Sequence, residues 1–133
     1  MTQEATAEEL ERYSLEIEVE PAYLDAQSDP EADRYAFSYT VTIRNNGTVA
    51  IRLLRRRWLI TDADGNEREV RGEGVIGEQP YLAPGDDYRY SSGTVLNTPV
   101  GAMRGSYRMQ AEDGAEFDAT IDAFTLAVPG TLH

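Results

Sequence analysis

A chain of 133 residues suits a single domain, and with no cysteine it excludes disulfides, thiolate catalysis and cysteine-ligated metals. Twenty-four acidic against twelve basic residues give a net charge of -12, which disfavours general attraction to nucleic-acid backbone or anionic lipid. No segment approaches about 20 apolar residues, and the start, MTQEATAEELERY, lacks the basic and apolar regions of a secretion signal, so a cytoplasmic chain without a membrane span is expected.

Residues 1–12 read as a flexible segment, with Leu10 the one anchor for a short helical turn. From Tyr13 a period of two takes over. Tyr13, Leu15, Ile17 and Val19 share one face and Ser14, Glu16, Glu18 and Glu20 the other, the pattern of a half-buried strand, which Pro21 is expected to end. A polar connection over 21–34 leads to Tyr35, Phe37, Tyr39, Val41 and Ile43, the clearest core strand. Asn45, Asn46 and Gly47 predict a tight left-handed turn and a hairpin that returns through Val49–Leu53. The adjacent Leu53 and Leu54 break the alternation before Arg55, Arg56, Arg57, Trp58 and Ile60, so either one inserted residue or a change of strand is expected here. That phase puts Arg56 on the Trp58 and Ile60 side, with Arg55 and Arg57 opposite. Trp58 belongs in the core, where its indole N–H needs an acceptor.

Asp62–Asn66 predicts a turn, Glu67–Arg71 a returning strand, and Tyr81–Asp86 another turn before a short Asp87–Tyr90 strand. Ser91–Thr94 reads as a polar loop, and Thr98, Pro99 and Gly101 as the end of the next connection. Gly105–Ala111 then reverses at Asp113–Gly114 into Phe117, Ala119 and Ile121. Phe124, Leu126 and Val128 continue on the opposite parity, which requires a kink near Asp122 or Ala123. The sum is all-β: seven or eight strands in an immunoglobulin-like or fibronectin type III-like antiparallel β-sandwich.

Three features could carry chemistry. The run GEGVIG has the spacing of a dinucleotide fingerprint at Gly72, Gly74 and Gly77, but Glu78, Gln79 and Pro80 follow instead of a helix. Without a helix N-terminus to hold pyrophosphate, Arg71, Gly72, Gly74 and Gly77 form either an anion-binding loop or a structural one. All twelve basic residues are arginines, and four lie in the six positions from Arg52 to Arg57; they read either as strand residues that lay their stems over apolar surface and pair with carboxylates or, at Arg55 and Arg57, as a partner-binding patch. Asp62, Asp64 and Glu67 offer carboxylates to a hard metal, although a polar turn explains them equally. With His133 the lone histidine, at the far end, Ser28, Ser91 and Ser92 have no nearby base, so no catalytic residue is assigned.

The chain resembles the ApaG family. The resemblance rests on VEPAYLDAQSDP, RYAFSYTVTIRNNG, LLRRRWLITDADGNEREVRGEGVIGEQPYLAPGD, YSSGTVLNTPVGAMRGSYRM and DAFTLAVPGTLH, and covers residues 13–133 as one domain. Gly72, Gly74 and Gly77 match the family's glycine motif. The resemblance implies a fibronectin type III-like sandwich and, since such domains also occur attached to larger eukaryotic proteins, a binding role. The expectation is a non-enzymatic module, without cofactor or metal, that engages a protein or a phosphate-containing small molecule; the alternative is a metal-assisted phosphohydrolase. So acidic a chain disfavours nucleic acid as a partner, and an exposed sheet edge would permit a homodimer.

Overall fold

The alternation along the sequence becomes two antiparallel sheets in the computed structural model, which describes residues 11–131. Leu10 and His133 lie outside the described residues. One sheet has the order β1-β2-β6, from β1 (Leu15–Tyr23), β2 (Tyr35–Asn45) and β6 (Asp87–Leu96). The other has the order β4-β3-β7-β8, from β4 (Glu67–Glu73), β3 (Ile51–Asp62), β7 (Val100–Ala111) and β8 (Glu116–Ala127). The two-residue β5 (Tyr81–Leu82) pairs with the start of β3. Eight strands in a three-on-five arrangement make a fibronectin type III-like sandwich.

Between the layers lie Phe37, Val41 and Ile43 from β2, Leu53, Trp58 and Ile60 from β3, and Met103, Tyr107 and Met109 from β7. Trp58, 2% exposed, packs edge-on against Tyr39, Tyr107 and Phe124. Its Nε1–H has no acceptor among the described residues, so the packing is achieved at the expense of one hydrogen bond. The Tyr90 and Tyr107 hydroxyls bond to each other across the layers. Burial pushes both phenols well above the ordinary tyrosine value, so the pair stays neutral.

Both expected breaks in alternation are β-bulges. Leu53 pairs with Met109 and Arg55 with Arg108, which leaves Leu54 as the extra residue of β3. Gly105 pairs with Ile121 and Met103 with Phe124, so Asp122 and Ala123 together face one residue of β7. Each bulge resets the parity so that apolar side chains on both sides of it face the same core.

Three sequence expectations are corrected. The strand does not end at Pro21: β1 continues to Tyr23, because on a sheet edge the missing N–H can face away from β2. No hairpin joins β2 to Val49–Leu53, since β2 and β3 belong to different sheets. The buried Asn45 makes this crossing. Its amide donates to Val49 O at 2.9 Å and Leu82 O at 3.0 Å, while its Oδ1 accepts from the Gly47 N–H. Gly47 is required for space, not for left-handed geometry, because a Cβ there would collide with the Arg12 carbonyl oxygen. Finally, Ser91–Thr94 is not a loop. The hydroxyls of Thr40 and Ser91 bond at 2.7 Å across β2 and β6, and polar residues on the outward face let β6 run unbroken for ten residues.

Candidate functional site

The bulge at Leu54 also builds the glycine loop. Its carbonyl accepts from the Gly74 N–H at 2.8 Å and from Gln79 Nε2 at 2.9 Å, which ties the loop back onto β3. Beyond Gly74, Val75 and Glu78 exchange backbone hydrogen bonds at 2.8 and 2.9 Å around a two-residue turn. Both central residues of that turn are left-handed, Ile76 at φ 43° and Gly77 at φ 81°, the backbone of a type I′ turn. No helix follows.

Each glycine of the motif meets a local requirement. Gly72 has the Arg56 guanidinium lying where a side chain would be, with Cζ 2.6 Å from a built Cβ. At Gly74 φ is 58°, and a Cβ would strike the Glu78 carbonyl oxygen. Gly77 supplies the left-handed second position of the turn. The amides of Gly74, Val75 and Glu78 are therefore engaged by protein carbonyls.

Arg56 itself faces inward, as its parity with Trp58 requires. Its Nη1 donates to Glu73 O at 3.2 Å and Gly74 O at 2.9 Å, so a half-buried cation is held by two backbone acceptors at the start of the loop.

Arg55 and Arg57 emerge on the opposite, outer face. There the β3 register sets Arg55 directly across from Arg108 of β7, and Arg57 directly across from Arg71 of β4. Like charges in directly opposed positions destabilise a sheet, yet two such pairs adjoin here in a chain with twice as many acids as bases. Carboxylates hold the rim. Glu69 pairs with Arg71 and lies 3.3 Å from Arg57 Nε, while Arg108 reaches Asp118 at 3.2 Å and Glu116 at 3.4 Å. The Arg71 guanidinium, then that of Arg57, keeps the Glu69 carboxyl below the usual glutamate range, although the buried Arg57 Nε makes no hydrogen bond among the described residues, and the Asp118 bond raises the Arg108 guanidinium. Arg55 stands apart: it has Glu73 and Arg108 as cross-strand neighbours but no ion pair or hydrogen bond among the described residues. Between these side chains lies an open depression of about 580 Å³, floored in part by Gly72 and Ser106.

The sequence singled out Arg55, Arg57 and Arg71, and β3 and β4 bring all three to this face. It missed Arg108, because no local pattern reveals which residue of β7 lies opposite Arg55. Of the motif's glycines Gly72 alone lines the depression, and the place of its missing side chain is on the other side, toward Arg56; Gly74 and Gly77 do not line it.

Asp62 and Ser28 are occupied elsewhere. Asp62 caps its turn, accepting from the Asp64 and Asn66 amides at 2.9 and 3.0 Å. Although partial desolvation raises it, hydrogen bonds from Asn66, Asp64 and Gly65 leave the Asp62 carboxyl below the usual aspartate range. Among the described residues no three carboxylate or histidine side chains are placed to share a metal. Ser28 bridges Leu24 O and the Ala36 N–H. Of the tyrosines, Tyr90 is buried and Tyr88 donates its hydroxyl to Glu78 at 3.0 Å. Tyr81 is 51% exposed, with the Arg52 guanidinium 5.2 Å from its ring centre. No helix among the described residues is long and apolar enough to cross a membrane.

Comparison with known proteins places this geometry in a family. Protein ApaG of Ectopseudomonas mendocina is 62% identical over 122 residues, spanning 92% of this chain and 97% of that protein. Protein ApaG of an Azoarcus species is 58% identical over 92% of this chain and 97% of its own length. A Bordetella pertussis crystal structure described as ApaA superposes with a TM-score of 0.89 at 45% identity, covering 91% of this chain and 98% of that one. The ApaG domain profile matches residues 25–111. With that profile match and these relatives, the chain belongs to the ApaG domain family.

Proposed function

We propose that this domain is a non-enzymatic binding module that recognises an acidic segment of a protein partner on the outer face of β4-β3-β7-β8. Arg55 and Arg57 lie at the centre of the contact and Arg71 and Arg108 flank them. The observation that carries the reading is the double juxtaposition of arginines, Arg55 with Arg108 and Arg57 with Arg71, on a solvent-exposed face. Directly opposed cations cost stability, and a partner that supplies negative charge recovers it. Arginine suits the role, since its planar fork binds carboxylate and phosphate oxygens in pairs.

Phosphate at the Gly72–Gly77 loop has less in its favour, because the Gly74, Val75 and Glu78 amides already donate within the protein. A phosphohydrolase built on Asp62, Asp64 and Glu67 is weaker still. Asp62 is committed to its turn, and the cluster lacks a third converging ligand.

Crosslinked capture from native extract tests the reading, with Arg55→Glu/Arg57→Glu beside the parent. A specific complex should be recovered with the parent and reduced at least tenfold with the charge-reversed protein, whose folding should be intact. A complex recovered equally with both would reject this face.

A further inference from the structure

We infer that the outer-face depression is a site for a phosphoryl dianion, carried on a side chain of the partner. This rests on the reading that the outer arginines make the partner contact, and it specifies the chemistry they select.

The decisive feature is what the protein already provides to its own arginines. Arg57 and Arg71 have Glu69, and Arg108 has Asp118 and Glu116. A glutamate or aspartate from a partner would bring one charge and two oxygens, enough to give Arg55 an acceptor but otherwise exchanging one carboxylate for another at Arg57, Arg71 and Arg108. A phosphoryl monoester differs on both counts. At neutral pH it carries about two negative charges and has three terminal oxygens, enough to engage several guanidiniums at once.

The layout matches that demand. Arg55 is the arginine of the four without an ion pair among the described residues, the buried Arg57 Nε also makes no hydrogen bond among them, and Arg55 adjoins the other three: Arg57 two residues along β3, Arg108 across on β7, and Arg71 diagonally on β4. Neighbouring strands are about 4.8 Å apart and alternate residues of one strand about 6.8 Å, so side chains as long as arginine can converge on one tetrahedral group. Glu69 holds Arg57 and Arg71, Asp118 and Glu116 hold Arg108, and Arg55 and Ser106 line the same depression. At about 580 Å³ the depression exceeds a phosphate, leaving room for the chain that bears it.

The site also carries a pH signature. The second ionisation of a phosphoryl monoester lies near pH 6, so affinity should rise as pH increases through that range. The charged groups lining the depression are Arg55, Arg56, Arg57, Arg71 and Arg108 with Glu73 and Asp118, and Glu69 and Glu116 hold arginines at its rim. A change between pH 5 and 7.5 seen with a phosphopeptide and not with its glutamate counterpart would report the phosphoryl group.

Isothermal titration at low salt would compare three probes: a short serine-phosphorylated peptide, the same peptide with glutamate in place of the phosphoserine, and inorganic phosphate. The phosphopeptide should bind saturably and at least tenfold tighter than the glutamate peptide. It should weaken roughly tenfold in Arg55→Gln and again in Arg108→Gln, and roughly tenfold from pH 7.5 to pH 5. Circular dichroism melts matching the parent keep a loss of binding from being read as unfolding. Equal, pH-independent binding of both peptides would overturn the phosphoryl assignment and leave the acidic-partner reading standing. Inorganic phosphate binding as tightly as the phosphopeptide would keep the anion site but overturn its assignment to a peptide. No saturable phosphopeptide binding, or binding unchanged by both substitutions, would overturn the inference outright, whereas the partner reading is judged separately by capture.

Discussion

Arg55, Arg56 and Arg57 are identical side chains at consecutive positions, and the pleat of β3 gives them opposite roles. Arg56 turns toward the core side, where it occupies the space that Gly72 leaves and binds the Glu73 and Gly74 carbonyls. Arg55 and Arg57 turn to solvent and oppose two further arginines. The difference teaches that charge in this protein is sorted by parity: on the inner face a cation holds the structure, and on the outer face cations accumulate beyond what the structure needs.

The inner face should be the sensitive one, and Trp58 sets the scale. Trp58→Ala should cost about 3–5 kcal/mol, because it empties a site walled by Tyr39, Tyr107 and Phe124. Urea unfolding would measure this, and a loss below about 1 kcal/mol would mean that the sandwich is far more plastic than its packing indicates.

The glycine loop sharpens the comparison. Gly74→Ala should cost about 2–4 kcal/mol, since it combines a left-handed φ with a collision against backbone. Gly77→Ala, where nothing lies within 4 Å of the added methyl, should cost only about 1 kcal/mol for its φ. Equal losses in paired denaturation curves would contradict the packing explanation of the motif.

Ile76 gives the smallest effect, and with the opposite sign. It is a β-branched residue at φ 43° with 58% of its surface exposed, disfavoured by its backbone and without compensation from burial. Ile76→Asn should stabilise the domain by about 0.5–1 kcal/mol, because asparagine tolerates the left-handed position of a type I′ turn. A fall in melting temperature would show that Ile76 makes a contribution not visible in the fold.

The strands were legible because burial enforces a period of two, and both bulges were legible because each moves an apolar set from one parity to the other. Leu53–Leu54 and Ile121–Phe124 announce the extra residues directly. Sheet membership was not legible. Asn45-Asn46-Gly47 has the composition of a hairpin turn, and only the buried bonds of Asn45 to Val49 and Leu82 reveal a crossing between layers. Serines in β6 looked like a loop because polar residues suit both a turn and a solvent-facing strand position. For the site, parity correctly separated Arg56 from Arg55 and Arg57, whereas Arg108 is 53 residues beyond Arg55 in the chain and meets it through pairing alone.

The most direct test of the division between the two faces is the thermal midpoint of Arg56→Gln against that of Arg55→Gln in one buffer. Losing the two charge-assisted bonds to Glu73 and Gly74 should lower the Arg56→Gln midpoint by roughly 5–10 °C. The exposed Arg55, without a partner among the described residues, should leave its midpoint within about 2 °C of the parent. Equal shifts, or a larger one for Arg55→Gln, would contradict the division and with it the assignment of the outer arginines to recognition.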